Sequence, residues 1–110
     1  MRTFHGKRTA AGMVVTVEAG GVERPLGLRL DLRNHSPTGF EVGYAGSGPA
    51  QLALAICATV VGDRRAEDVY QAFKERVVAN IRAAEWWLDE AAVRWEIEQI
   101  ERARSENGLK

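Results

Sequence analysis

The sequence predicts a small α+β domain, in which a short antiparallel sheet of about three to four strands packs on three helices and the first helix is central. Three observations carry that expectation. The N-terminal part holds short alternating runs broken by glycine and proline, and MVVTVE, Met13 to Glu18, is the clearest of them. Leu52 to Val61 is apolar except at Thr59, so a helix there must be buried nearly all round. Two amphipathic runs follow, so strands precede helices, which is the α+β order. The 110 residues suit one domain, with strands and turns over 1–46 and helices over about 47–62, 64–81 and 90–106.

Arg2 to His5 predicts a short first strand, and Lys7 to Gly12 a turn or loop. Met13 to Glu18 alternates, with Met13, Val15 and Val17 sharing one face. Gly20-Gly21 breaks the strand, and Val22 to Arg24 resumes it as a hairpin before Pro25. Leu26, Leu28, Leu30 and Leu32 alternate with Gly27, Arg29 and Asp31, which reads as a half-buried strand or an unpaired extended segment. RNHSPTG is rich in turn formers, and Phe40 to Tyr44 is a short strand candidate.

The first helix starts at GSGPAQ. Pro49 suits the first helical position, with Gly48 as N-cap, Gln51 reaching back to the cap, or Ser47 as N-cap one residue earlier. Gly62 terminates this helix and Asp63 caps the second. Val69, Phe73, Val77 and Ile81 recur every fourth residue on its core face. EWWL, Glu85 to Leu88, is a connector or short strand. Asp89 caps the third helix, with Leu88 and Val93 as a hydrophobic staple. Asn107-Gly108 ends it, and Leu109-Lys110 frays.

Composition narrows the function classes. Fifteen basic and fifteen acidic residues give zero formal charge, which does not favour nucleic acid or an acidic membrane as partner. One cysteine, Cys57, makes no internal disulfide, and MRTFHGKRTAAG lacks the pattern of a leader, so a cytoplasmic protein is expected. No apolar run is long enough to span a bilayer.

The run NHSPTGFEVGYAGSGPAQLALAI, Asn34 to Ile56, resembles a family of small bacterial and phage proteins known only as a domain of unknown function. Its members look like LRNHSPTGFxWGYxGSGPAQLALAIL followed by a helix with Y-x-x-F-K, here Tyr70, Phe73 and Lys74. The resemblance covers roughly Leu28 to Trp87. Val42 stands where the family usually has tryptophan, and Cys57 where leucine is common, which gives Cys57 a packing role. The resemblance implies a setting of phage and mobile elements and supplies no activity.

Several groups invite a chemical reading. Gly46, Ser47 and Gly48 open a helix, where free N–H groups and the positive dipole end attract anions. No GK[ST] follows, so this is not a P-loop, and the dinucleotide fingerprint is also incomplete. The competing reading is a tight turn that aims a buried helix inward. His35 with Ser47 or Ser36 would make a base–nucleophile pair if the two turns met, but Ser47 has Ala45 and Pro49 where a nucleophile elbow needs glycines. His5 and His35 are the only histidines and no zinc-ligand spacing exists, so neither metal nor cofactor is expected.

The C-terminal segment reads as an interaction surface built from Trp86, Trp87, Glu90, Trp95, Glu98 and Glu101. Adjacent tryptophans in an extended segment point to opposite sides, so one can enter the core while the other stays nearer the surface. From Glu85 to Glu101 six acids face one base, Arg94, whereas bases dominate Arg2 to Arg33. The expected function is therefore a small non-enzymatic protein-interaction domain of phage or mobile-element type, with a protein partner. An inhibitor of a host factor such as a defence nuclease complex (anti-CRISPR-like) is one form of it. The alternative is an anion- or nucleotide-binding module at Gly46–Pro49, and the third reading is a Ser/His hydrolase. A homodimer is a further option.

Overall fold

A computed structural model describes residues 1–108, so the expected fraying of Leu109-Lys110 lies outside the described residues. The chain is α+β. Strands β1 (Thr3–Thr9), β2 (Gly12–Ala19) and β3 (Val22–Pro25) are followed by helices α1 (Ser47–Val61) and α2 (Asp63–Arg76) and a short 3-10 turn, Val78–Asn80. Strand β4 (Glu85–Asp89) and helix α3 (Glu90–Gly108) complete it. The four strands form one antiparallel sheet in the order β3-β2-β1-β4. The strands are thus not all N-terminal: β4 returns from between α2 and α3 to pair with β1.

Each strand forms for a local reason. The β2–β3 hairpin turns at Gly20 and Gly21, whose φ values of 60° and 84° are the positive pair that a two-residue hairpin loop demands. Period two sorts the sheet into two faces. Phe4, Met13, Val15 and Trp86 point inward and are buried, and Val17 and Leu88 are partly buried beside them. His5, Lys7, Val14, Thr16, Glu85 and Trp87 occupy the opposite face, as the register His5↔Thr16 and His5↔Trp87 requires.

Helix α1 fills the centre, and every residue from Gly48 to Ala58 is buried. Gly46, in extended conformation, is its N-cap, and Ala50 N–H donates to the Gly46 carbonyl at 3.0 Å. Neither Ser47 nor Gly48 is the cap, and Pro49 is the third helical residue. The shift is tolerated because the first N–H groups of a helix lack intrahelical partners anyway. Gly62, with φ 87°, separates α1 from α2 and leaves Asp63 as the first residue of α2 rather than its cap. Helix α2 stops at Arg76, short of the expected Ile81, because the Asn80 side-chain amide donates to the carbonyls of Glu75 and Arg76 at 3.0 Å each. Asp89 does cap α3, accepting Ala92 N–H at 2.8 Å.

Two strand candidates do not form strands. Phe40 to Tyr44 contributes only an isolated bridge between Phe40 and Met13. Leu26 to Leu32 is not a strand: Leu26 N–H still reaches the Val15 carbonyl at 3.0 Å, but the chain then turns at Arg29, the one non-glycine residue with positive φ, 58°, among the described residues. Arg29 is held there by Asp31 and by both carboxylate oxygens of Asp63, at 2.8 to 3.1 Å. The leucine alternation reflects a loop laid along the core. Leu26 is buried, Leu28 and Leu32 are partly buried, and Leu30 is exposed.

Candidate functional site

The outer face of the sheet is the place where chemistry-bearing groups meet without cover. The two adjacent tryptophans divide there. Trp86 points inward, is only 7 % exposed and lies across Gly6, where a Cβ would come within 2.1 Å of the indole. Glycine at position 6 makes that approach possible. Trp86 therefore leaves the expected interaction surface: it is a core residue, and its buried Nε1 has no hydrogen-bond partner among the described residues. Trp87 points outward and is 63 % exposed.

Trp87 is exposed but not loose. The His5 ring stacks on it with centroids 4.9 Å apart and planes 8° from parallel. His5 is itself gripped across strands, with Nε2 at 2.6 Å from Glu85 and Nδ1 at 3.4 Å from Glu23. Thr16 donates to the same Glu23 carboxylate at 2.6 Å. That hydroxyl, followed by His5, holds the Glu23 carboxyl below the usual carboxylate range. A line of polar contacts thus crosses all four strands beneath one aromatic platform.

The acidic helix is less free than its composition suggests. Glu90 accepts the Arg2 backbone N–H at 3.1 Å and also pairs with the Arg2 and Arg94 side chains. Glu96 pairs with Arg76 at 2.8 Å, and Glu101 takes Arg65 through two hydrogen bonds of 2.7 and 2.8 Å. Those arginines come from the N-terminus, from α2 and, for Arg94, from α3 itself, and they neutralise the face on which Glu90 and Glu101 were expected to act. Glu98 remains exposed with no ion pair among the described residues, and Trp95 is 56 % exposed.

The Gly46-Ser47-Gly48 turn has a packing explanation. A Cβ on Gly48 would stand 2.7 Å from the Glu41 Cβ and 3.1 Å from its backbone nitrogen, and one on Gly46 would enter the Tyr44 ring at 2.3 Å. The turn borders a cleft of about 410 Å³ lined in part by Ser36, Thr38, Glu41, Ser47 and Gly48. Glu41, whose carboxylate pairs with Arg8 at 2.8 Å, lines the same cleft.

The preceding loop is organised by one buried side chain. Gln51 is fully buried, and its Oε1 accepts the backbone N–H groups of His35 and Ser36 at 2.8 and 3.0 Å. Its Nε2 donates to the carbonyls of Leu28 and Arg33 at 2.6 and 3.0 Å. Gln51 therefore holds the loop and does not reach back to the helix cap. His35 Nε2 lies 2.7 Å from the Tyr70 hydroxyl, and Ser36 Oγ donates to the Gly39 carbonyl at 2.7 Å. No hydrogen bond joins His35 to the hydroxyl of Ser36 or Ser47 among the described residues, so a base–nucleophile pair is not formed. Cys57 is buried within α1, and burial pushes its thiol pKa far up. Among the described residues no group of three or more His, Cys, Asp or Glu is placed to hold a metal ion.

The surface expected from the sequence includes Trp87 but not His5, Glu23 or Thr16. The usable signal was parity. His5 and Thr16 occupy one parity of their strands and Trp87 the outward parity of β4, but only the β1–β4 register, 80 residues apart at His5 and Glu85, brings them together.

Residues 4–99 match the model of a family of unknown function. No curated protein and no solved structure matches the chain.

Proposed function

We propose that this chain, which belongs to the family of unknown function DUF6166, acts as a small non-enzymatic protein-interaction domain. The single observation behind the proposal is Trp87. A large aromatic residue, 63 % exposed and pinned by a stacked histidine on an uncovered sheet face, has the properties of an interface anchor. Ordering the ring before binding lowers the entropy lost on association. Trp95 and Glu98 on α3 are further exposed candidates, whereas Glu90 and Glu101 are engaged in ion pairs within the chain.

Inhibition of a host factor, such as a defence nuclease complex, is the form of this reading that a phage or mobile-element setting suggests. A cytoplasmic location belongs to the same proposal, and a lone buried cysteine fits a reducing compartment. The test is affinity capture from the native host with the wild-type domain and Trp87→Ala in parallel, with purified pairs then followed by light scattering. A protein recovered by the wild type and lost with Trp87→Ala supports the reading. Recovery of no specific protein counts against it.

The second reading, an anion-binding module at Gly46–Pro49, draws support from the cleft beside Ser47 and Gly48. It ranks lower because Glu41 shares that cleft and packing already accounts for both glycines. A flat thermal-shift profile with phosphate and nucleotides would remove it.

A further inference from the structure

We infer that the open edge of β4 accepts an extended, basic segment of a partner protein as an added strand centred on Trp87. The inference rests on the interaction reading above and names the partner's chemistry.

Register decides which main-chain groups are free. Arg8 N–H donates to the Ala84 carbonyl at 2.7 Å, and Glu90 N–H to the Arg2 carbonyl at 2.9 Å. The pairs Gly6–Trp86 and Phe4–Leu88 lie in the same frame. Hydrogen bonding alternates along an antiparallel strand, so Trp86 and Leu88 turn their main chain toward β1 while Glu85, Trp87 and Asp89 turn theirs away. Among the described residues, β4 is the last strand in the sheet and no strand lies on its far side. The opposite edge, β3, is a poorer template, because it is four residues long and ends in Pro25.

Charge then selects the occupant. Glu85 and Asp89 stand two residues either side of Trp87 and share its face. A second copy of this chain is disfavoured in the register centred on Trp87. Antiparallel pairing of two such edges about Trp87 sets Glu85 against Asp89, and like charges directly opposite are destabilising. The same acids repel the phosphates of a nucleic acid. A strand with arginine or lysine at every second position reverses each of these terms. Its basic residues meet the remaining acceptor positions of Glu85, which also holds His5, and of Asp89, which also caps α3, and a central guanidinium meets the indole face that His5 leaves open. Main-chain hydrogen bonds supply affinity, and the alternate side chains supply selectivity.

The test uses the whole domain and short fluorescein-labelled peptides, followed by anisotropy. One peptide alternates arginine with threonine, a second replaces each arginine by glutamate, and two more carry the arginine pattern with N-methyl groups on either set of alternate amides. The arginine peptide is expected to bind and the glutamate peptide not to. N-methylation of the amide set that faces β4 is expected to weaken binding by about tenfold or more. Glu85→Pro, which removes an outward N–H but no bond to β1, is expected to weaken it further than Glu85→Gln, which removes only the charge. Absence of binding by the arginine peptide, or equal binding by both N-methylated forms, would overturn strand addition. If either occurs while a captured partner still depends on Trp87, the interaction reading stands and only the strand addition falls. If no captured partner depends on Trp87, both fall.

Discussion

Gln51 and His35 are joined by a partly buried hydrogen bond of 2.8 Å from the His35 backbone N–H to the Gln51 side-chain carbonyl. The same amide also holds Ser36, Leu28 and Arg33, so one side chain on the central helix fixes the course of the loop from Leu28 to Ser36. A glutamine fits this position because it offers two donors and two acceptor lone pairs at one point. All four are matched to backbone groups of the loop.

Gln51→Ala is therefore expected to be among the most destabilising single changes in the chain. Each buried polar group left unpaired costs about 1–3 kcal/mol, and opening of the loop limits the total. We expect a loss of about 3 kcal/mol, which lowers Tm by about 12 °C or more in a domain of this size. Urea unfolding and calorimetry measure both. A loss under about 1 kcal/mol would show that the loop holds its course without Gln51.

Gly6→Ala and Gly46→Ala are expected to differ sharply although both add one methyl group. At Gly6 the methyl meets the Trp86 indole at 2.1 Å, and that ring is buried. At Gly46 it meets Tyr44 at 2.3 Å, but that side chain is largely exposed and can swing out. Overpacking of about 1–3 kcal/mol or more is expected at Gly6 and less at Gly46. Urea midpoints of the two variants check the order.

Much of this architecture was legible in short-range pattern. MVVTVE, the Gly20-Gly21 turn, the apolar run of α1 and the Asp89 cap are local signals, and each became the expected element. What was not legible depended on distant partners. Leu26 to Leu32 alternates like a strand, yet Arg29 turns the loop against Asp63 and Gln51 holds Leu28 from 23 residues away. The acids of α3 looked free because Arg2, Arg65 and Arg76 lie outside that helix. Which of the two adjacent tryptophans was exposed depended on the pairing of β4 with β1, more than 75 residues apart in sequence.

Glu90 predicts a specific acid response. The Arg2 backbone N–H, followed by the Arg94 side chain, holds its carboxyl below the usual carboxylate range. A carboxyl with a lowered folded pKa contributes stability that is present above its unfolded pKa, about 4.3, and is lost as pH falls through the lower folded value. Glu90→Gln is expected to lower the urea midpoint at neutral pH. The difference from wild type should shrink as pH falls below about 4.3. A constant difference across that range would place the effect of Glu90 elsewhere than in its charge.

Cys57 is expected to be inert in the folded state. It is buried in α1, and its raised thiol pKa leaves no thiolate to react at mildly alkaline pH. A thiol reagent should modify it only in urea, at a rate that follows global unfolding. Rapid modification without denaturant would mean that α1 opens locally.

The central claim is that Trp87, fixed by His5 on the uncovered sheet face, anchors a protein partner. The most direct measurement is calorimetric titration of the captured, purified partner into wild-type domain and Trp87→Ala, with urea midpoints recorded for both. We predict a loss of affinity of about 30-fold or more, corresponding to about 2 kcal/mol, with the midpoint unchanged. Equal affinity for the two proteins would contradict the account.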